Sequence, residues 1–202
     1  NFQTAKNIFL EADESLNFKI SKIILEGPDD KLKLTQNTQP AILTVSCAIY
    51  HVLKKDFDFK LDEFSYFAGH SLGEYSALVC SESLKFKDAL YLLHERGKAM
   101  QEAVPVGKGA MLAILGSEID EIKKFISETK NQGVCEIAND NANGQVVLSG
   151  EIKPIEFICE NYKEFKIKRA IQLPVSAPFH CELINNASIK LENEIASQKF
   201  ND

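Results

Sequence analysis

Apolar residues recur at helical spacing in the first quarter of the chain. The first segment carries five of them on one face of a predicted helix: Ala5, Ile8, Phe9, Ala12 and Leu16. Residues 27–39 are polar and rich in turn formers, and Pro40 then suits the first turn of a second helix. Residues 41–52 are apolar on nearly every side of that helix, so we expect it to be buried.

The next apolar residues predict a strand, a short helix and a long helix in succession. A short apolar run at residues 64–68 is typical of a buried strand, and residues 74–79 form a helix-compatible stretch. Six positions then mark one face of a long amphipathic helix: Phe86, Ala89, Leu90, Leu93, Gly97 and Met100. The break between the strand and the short helix falls at residues 69–73.

After Pro105 the pattern changes to short strands that alternate with helices. The predicted strands are residues 109–115, 134–138, 146–149 and 167–173. Ser117 and Asp120 resemble a capping box that opens a helix, and Pro154 suits the first turn of another. The order is β-α-β-β-α-β, which fits a small sheet with two helices on one face, inserted into a larger domain. A last helix carries Ile184, Ala187, Leu191 and Ile195.

Composition and charge narrow the class of protein. The net charge is −6, which argues against a general nucleic-acid role, and no apolar run is long enough to cross a membrane. The five cysteines form no Cys-x-x-Cys pair, which suits a reducing cytoplasm and argues against a disulfide scaffold and a zinc site. We therefore expect a cytoplasmic globular protein without a metal site. The first residue is Asn1 and not Met, so targeting cannot be judged from it.

Residues 69–73 read Gly-His-Ser-Leu-Gly, which has the Gly-x-Ser-x-Gly form of a nucleophile elbow. In that motif the serine, here Ser71, sits on a tight strand-to-helix turn, and the glycines avoid clashes within the turn. The following helix points its first N–H groups and its positive end at whatever binds beside the serine. The alternative is an ordinary tight turn with an exposed serine. The strand and helix on either side favour an enzyme that forms an acyl-serine.

A serine nucleophile needs a general base, and the chain has four histidines: His51, His70, His94 and His180. The two in helical segments suit surface or half-buried positions. A pocket-facing position is open to His70 inside the elbow, but its place next to Ser71 points it away from the serine. His180 lies on a loop leading out of the predicted small domain. Both a cleft base and an ordinary loop histidine fit that position.

No acid between the serine and the last histidine makes a convincing third member of a triad. Asp120 is better explained as part of a helix cap, and Asp140 lies in a turn. A Ser–His dyad, with the imidazole held by a backbone carbonyl, is therefore favoured.

Arginine is scarce, since only Arg96 and Arg169 occur among the 23 basic residues. An arginine in the helix after the elbow helix favours planar, bidentate binding of a carboxylate. No acid lies three or four residues from Arg96 to form an ordinary helical ion pair, so a solvated arginine is the alternative. The polar residues 139–144, which include Asn141, are explained by a hairpin turn, and lining a pocket is the sharper alternative.

Several motifs in one order resemble a single family. They are residues 38–41 (Thr-Gln-Pro-Ala), 69–78, 96–105, 109–111, 141–150 and 173–181. Over essentially the whole chain they are similar to the malonyl-CoA:acyl carrier protein transacylases of fatty acid synthesis. The resemblance implies a ping-pong transfer of malonyl from CoA to the carrier protein's phosphopantetheine thiol. The malonyl group would pass through an ester on Ser71, without a cofactor.

The resemblance also implies a role for each candidate site residue. Ser71 is the nucleophile, His180 is the base that serves each thiol in turn, and Arg96 clamps the malonyl carboxylate. Leu72 gives its backbone N–H to the oxyanion hole, and the bulk of Phe179 leaves little room for an α-methyl branch. The resemblance also places Gln39 and Asn141 near the substrate pocket, and His70 of the elbow is a further candidate for binding the substrate.

The fold implied is α/β. An α/β-hydrolase-like parallel-sheet core (residues 1–105 and 177–202) carries an inserted ferredoxin-like βαββαβ subdomain (residues 106–176). The family's opening strand and C-terminal portion are missing, so we expect an internal fragment that is poorly active alone. The expected partners are acyl carrier protein and a CoA thioester, with no nucleic acid and no membrane, and we expect a monomer.

Three other functions share some of these residues. A serine thioesterase or esterase shares the elbow but has no need of Arg96. An acyltransferase domain of a larger polyketide or fatty acid synthase shares every motif. A non-catalytic module that docks a carrier protein would keep the fold, but the intact Ser71, His180 and Arg96 argue against it.

Overall fold

The computed structural model describes residues 2–60, 63–105, 107–175 and 177–201. Its helices are α1 (Gln3–Leu16), α2 (Ile20–Glu26), α3 (Asp29–Lys33), α4 (Thr35–Asp56), α5 (Gly73–Cys80), α6 (Phe86–Ala103), α7 (Ile119–Glu128), α8 (Ile152–Asn161) and α9 (Asn185–Ala196). Its strands are β1 (Gly109–Leu115), β2 (Cys135–Ala142), β3 (Gln145–Glu151) and β4 (Arg169–Gln172). Short 3-10 turns span Tyr162–Phe165 and Glu182–Ile184. The chain divides into a first compact unit, Asn1–Lys98 with Lys190–Asp202, and a second unit, Ala99–Ile189.

The first unit is helical in its described residues, and its core forms where the apolar faces of α1, α4, α5 and α6 meet. The predicted apolar face of α1 is confirmed, since Ile8 and Ala12 are buried and the remaining members pack against the same core. Leu43, Leu90 and Leu93 are fully enclosed. Removal of these side chains from water is the main force that holds the helices together.

Helix α4 begins at Thr35, so the prediction that it starts at Pro40 is wrong. Pro40 has no N–H and leaves the carbonyl of Gln36 without its helical donor. His94 on α6 supplies a donor instead, because its Nδ1 lies 2.8 Å from the Gln36 oxygen. A carbonyl can only accept, so Nδ1 carries the proton. This contact gives the Gln36 carbonyl the hydrogen bond that Pro40 cannot supply, and it joins the first turn of α4 to α6.

Helix α4 is buried on one face only, which corrects the prediction of complete burial. Its outer face is an exposed apolar stripe: Ile42, Val45, Ile49 and Leu53. A helix that is apolar all round is buried only where another element faces it, and the described elements face one side of α4. No helix in the described ranges, α4 included, combines the length and the apolar character that a membrane span requires.

Residues 64–68 do not form the predicted buried strand. Their side chains are exposed, and Tyr66 has an exposed fraction of 89%. A strand depends on hydrogen bonds to a neighbouring strand, and the four strands described here form a single sheet in the second unit. The segment is therefore irregular backbone that leads into the turn before α5. The predicted helices that follow it are confirmed by α5 and α6.

The second unit contains an antiparallel sheet with strand order β2-β3-β1-β4. Alternate residues of β1, such as Leu112 and Ile114, share one buried core with Ile122 and Phe125 of α7. Ile155 and Ile158 of α8 enter the same core. Both helices therefore cover the same face of the sheet, and the predicted order of strands and helices is confirmed.

The capping box predicted at Ser117 and Asp120 is wrong. Helix α7 begins directly after Glu118, whose side chain makes no capping hydrogen bond. The buried Ser117 hydroxyl has no hydrogen-bond partner among the described residues. The chain turns at Gly116, where φ is +77°, and the Gly116 N–H donates to the carbonyl of Gly144 at 2.6 Å. This turn carries Ser117 into the interior, where its hydroxyl cannot cap the helix.

Phe125 provides a test of the core of the second unit. Its ring is enclosed and stacks on Phe165 with the ring centroids 3.6 Å apart. Replacing Phe125 with Ala should lower the free energy of unfolding by about 3–5 kcal/mol, because the cavity left behind cannot collapse fully. Urea denaturation measures this change. The matched variant Phe157→Ala removes a half-buried ring and should cost clearly less, so equal losses would contradict the packing described here.

Candidate active site

Ser71 lies on a sharp turn that leads into α5. Its φ is +52°, in the left-handed region that residues other than glycine rarely adopt. The N–H groups of Gly73, Glu74 and Tyr75 donate to the carbonyls three residues earlier, at 2.8, 3.2 and 3.1 Å. None of these turn bonds uses the N–H of Leu72. Strained serine backbone of this kind is characteristic of functional sites.

The two glycines of the motif contribute differently to this turn. At Gly69 an added Cβ would overlap the backbone of Gly73, so only glycine fits there. At Gly73 an added Cβ would meet no described atom within 4 Å. The prediction that both glycines avoid a clash is therefore confirmed for Gly69 and wrong for Gly73.

Arg96 on α6 extends to the serine. Its Nη2 donates to Ser71 Oγ at 3.2 Å, and its Nη1 donates to Gln39 Oε1 at 2.5 Å. The side chain is half-buried, so the alternative of a solvated arginine is wrong. Within the first unit, the structure thus brings together three of the predicted site residues.

The hydrogen-bond partners found for Arg96 are neutral. The ion pairs found among the described residues join a lysine to an acid, and none of them engages this arginine. Burial lowers the pKa of Arg96, and the nearby Tyr75 and Glu74 oppose that shift without closing an ion pair. A guanidinium stays charged in proteins, and a partly desolvated charge is stabilised by an opposite charge. The site is therefore suited to an anion beside Ser71.

Gln39 is held from its other side by Thr35, one helical turn earlier. The Gln39 Nε2 donates to Thr35 Oγ1 at 2.9 Å, and the two side chains are 4% and 6% exposed. Because a guanidinium can only donate, the Gln39 oxygen must face Arg96 and its NH₂ group must face Thr35. Thr35 carries no sequence signal of its own, because residues 27–39 are polar and rich in turn formers. A helix that starts at Thr35 places it on the Gln39 face by the i,i+4 spacing.

His180 lies in the second unit, on the loop that follows β4. It is half-buried, and its φ is +58°, again in the left-handed region. The loop is fixed on both sides of the histidine. Pro178 packs so closely on Gly109 that a Cβ there would overlap the proline ring, and the Glu182 N–H donates to Glu136 Oε2 at 2.8 Å. The small sheet thus holds His180 in place.

The other predicted site residues of the second unit are Phe179 and Asn141. Phe179 is half-buried and packs against an apolar cluster that includes Met100 and Ile184. Asn141 is exposed near the end of β2, which runs further than the sequence predicts. The hairpin turn therefore shortens from residues 139–144 to residues 143–144, because the Ala142–Gln145 pair closes the ladder.

The predicted site residues are divided between the two units. The first unit holds Ser71, Leu72, His70, Gln39 and Arg96. Among these, Leu72 is half-buried and directly precedes α5, and His70 is exposed. The second unit holds His180, Phe179 and Asn141.

Two buried thiols of the second unit, Cys181 and Cys135, offer little alternative chemistry. Cys181, next to His180, is buried, and burial raises the pKa of its thiol. A thiol kept protonated in this way is a poor nucleophile. Burial likewise raises the pKa of Cys135 to about 12. Within the described ranges, no cluster of three or more His, Cys, Asp or Glu residues is arranged to hold a metal ion.

The chain belongs to the acyl transferase domain family, whose model it matches over residues 3–201. A malonyl CoA-acyl carrier protein transacylase of Bacillus subtilis is 45% identical over 202 residues, covering 98% of this chain and 62% of the relative. A solved acyl-carrier-protein S-malonyltransferase from Bartonella henselae is 41% identical with a TM-score of 0.92, covering 99% of this chain and 64% of that one.

A second solved structure shows a type II PKS acyl-carrier protein in complex with its malonyl-transacylase. It is 38% identical to this chain with a TM-score of 0.93, and the match covers 99% of this chain and 64% of that one. The chain therefore spans slightly less than two thirds of the length of these relatives.

The unequal glycines of the elbow yield a prediction about the activation of Ser71. Gly69→Ala should slow labelling of the serine by a fluorophosphonate about a hundredfold, because a displaced nucleophile loses its alignment. Gly73→Ala adds the same methyl group at the first position of α5 and should label at nearly the parent rate, since a Cβ there is unobstructed. Labelling followed by mass spectrometry measures both rates. Parent-like labelling of Gly69→Ala would contradict the steric account.

Proposed function

We propose that this protein is a malonyl-CoA:acyl carrier protein transacylase that supplies fatty acid synthesis. The observation that carries the proposal is the half-buried guanidinium of Arg96, which donates to Ser71 Oγ at 3.2 Å and has no acidic partner among the described residues. A malonyl thioester has a carboxylate one methylene away from its reactive carbonyl. Its carboxylate can therefore pair with Arg96 while Ser71 attacks the carbonyl. The printed names of the relatives support the same activity.

The first half-reaction loads the serine. Ser71 Oγ attacks the thioester carbonyl of malonyl-CoA while its proton passes to the imidazole of His180. The C–S bond then breaks, and CoA leaves as a thiol after it takes that proton. A malonyl ester remains on Ser71. This step requires the imidazole of His180 to reach the serine, with a backbone carbonyl to orient it in place of a triad acid.

The second half-reaction reverses the chemistry onto a new thiol. His180 removes the proton from the phosphopantetheine thiol of acyl carrier protein, and the sulfur attacks the ester carbonyl. The C–O bond to Ser71 breaks, and Oγ regains its proton from His180. The products are malonyl-acyl carrier protein and the original enzyme, so the cycle balances without a cofactor.

The remaining site residues bind the acyl group or stabilise the negative charge that develops on its carbonyl oxygen. Negative charge develops on the carbonyl oxygen in both half-reactions, and the Leu72 N–H, which the turn bonds do not use, is the proposed oxyanion donor. Phe179 limits the room for an α-methyl branch on the acyl group. Gln39 orients Arg96, and the proposed pocket is completed by Asn141 and His70.

The finer fold and the cellular setting belong to the same proposal. Residues 1–105 and 177–202, whose described part contains helices and no strand, would belong to an α/β-hydrolase-like core. Residues 106–176 form a ferredoxin-like subdomain, for which the β2-β3-β1-β4 strand order is supporting evidence. The inner boundary residues 106 and 176 lie outside the described residues. The protein acts in the cytoplasm as a monomer, on a CoA thioester and acyl carrier protein. The solved complex of a related malonyl-transacylase with its carrier supports that partner.

The environment of Arg96 also favours this activity over a thioesterase or esterase of neutral acyl groups. Such an enzyme gains nothing from a partly desolvated cation beside its nucleophile. An acyltransferase domain within a larger synthase would use the same site. The complete reading frame distinguishes that alternative from a free-standing enzyme.

Substitution of Arg96 tests the proposal through substrate selectivity. In the complete protein, Arg96→Ala should lower the rate of malonyl-ester formation on Ser71 by about 10²–10³-fold, because the substrate carboxylate loses its charged partner. Loading from acetyl-CoA should be spared or improved. The matched control is Arg169→Ala, which removes the exposed arginine of the second unit and should leave malonyl loading unchanged. Quenched intact-mass measurements give both rates, and an equal loss for the two acyl groups would refute the clamp.

A further inference from the structure

We propose that Thr35 is a positioning residue for this reaction. It anchors the Gln39 amide and, through that amide, the Arg96 guanidinium. The inference rests on the proposed function, because it concerns how the same site holds the malonyl carboxylate. Thr35 acts through Gln39 and not by contact with the substrate.

The chemical basis is that the Gln39 amide carries an acceptor oxygen on one side and a donor NH₂ group on the other. Its oxygen accepts from Arg96 Nη1 at 2.5 Å, and its nitrogen donates to Thr35 Oγ1 at 2.9 Å. A rotation of the amide by half a turn would set its NH₂ group against the guanidinium, and two donors would face each other. The donor-only guanidinium therefore selects which end of the amide faces it, and the Thr35 hydroxyl anchors the amide in that orientation by accepting from the buried NH₂ group. Without that acceptor, the buried NH₂ group would have one hydrogen bond fewer in the productive orientation.

Thr35 and Gln39, which hold the Arg96 guanidinium, are both uncharged, and this matters as much as the geometry of their hydrogen bonds. A carboxylate at position 39 would also orient Arg96, but it would occupy the positive charge in an internal ion pair. An amide backed by a hydroxyl fixes the guanidinium and leaves its charge available to a ligand. Both side chains are nearly excluded from water, so solvent competes little for these hydrogen bonds.

The backbone explains why Thr35 lies within reach of Arg96. Gly97 follows that arginine on α6, and a Cβ at Gly97 would overlap the Gln36 backbone and crowd the Thr35 carbonyl carbon. The first turn of α4 therefore packs directly on the backbone of α6. His94 lies one helical turn before Gly97 on α6. Its hydrogen bond to the Gln36 carbonyl fixes the same first turn of α4. These two contacts hold Thr35 in register with the arginine that it helps to orient.

Two substitutions separate the hydroxyl of Thr35 from its bulk. Thr35→Val keeps the branched shape and removes the acceptor, and Thr35→Ser keeps the acceptor. In the complete protein, we compare ester formation on Ser71 from malonyl-CoA and from acetyl-CoA. Thr35→Val should lose about tenfold in the malonyl rate with little change in the acetyl rate, because one buried hydrogen bond orients the clamp. Thr35→Ser should restore the parent selectivity.

The same measurements define the contrary results. A Thr35→Val protein with parent selectivity would overturn the inference, and so would equal losses for both acyl groups together with a lower melting temperature, which indicate a structural role alone. If Thr35→Val does not fold, Thr35→Ala provides the same comparison with a smaller side chain. Failure of the parent protein to load malonyl would refute the proposed function itself. Parent loading that Arg96→Ala abolishes and Thr35→Val leaves intact would refute only the role of Thr35.

Discussion

The cation of Arg96, half removed from water and held by neutral groups, is the constraint around which the first unit is organised. Its two described acceptors are the Gln39 amide oxygen and Ser71 Oγ, and no carboxylate among the described residues pairs with it. Burying charge without an opposite charge is unfavourable, so a fold that keeps such a group gains from an anionic ligand. An anion bound there would lie beside a strained serine, which connects the electrostatics of the site to the proposed acyl transfer.

Close backbone contacts allow this arrangement. The absence of a side chain at Gly69 lets the turn around Ser71 pack against the backbone of Gly73. The absence of one at Gly97 lets α6 closely approach the first turn of α4. Pro40 leaves one carbonyl of that turn without a helical donor, and the imidazole of His94 supplies one from α6. Serine, glutamine and arginine come from separate segments of the sequence, and these contacts bring them together. Small changes in the backbone of either helix should therefore affect chemistry at a distance.

Much of the structure followed from local pattern, and the parts that did not depend on distant residues. The apolar face around Ala12 and the strand and helix order after Pro105 were predictable because period and turn residues are local signals. The start of α4 at Thr35 was not, because the rule that places Pro40 in a first turn says nothing about a donor from His94. Residues 64–68 have the composition of a strand, but pairing is decided by neighbours that composition does not reveal.

The candidate active site also combines residues that local pattern predicts with residues that depend on distant contacts. The scarcity of arginine and the absence of a helical ion-pair partner point to Arg96, and the structure has its guanidinium in contact with Ser71 Oγ. Thr35 has no such signal, because its segment has the composition of a turn although the helix begins there. The most direct test of the central claim is a crystal structure of the complete protein trapped as the malonyl ester on Ser71. The account predicts both carboxylate oxygens at about 2.7–2.9 Å from the Arg96 nitrogens. A carboxylate turned toward solvent, with Arg96 still on Gln39 alone, would contradict it.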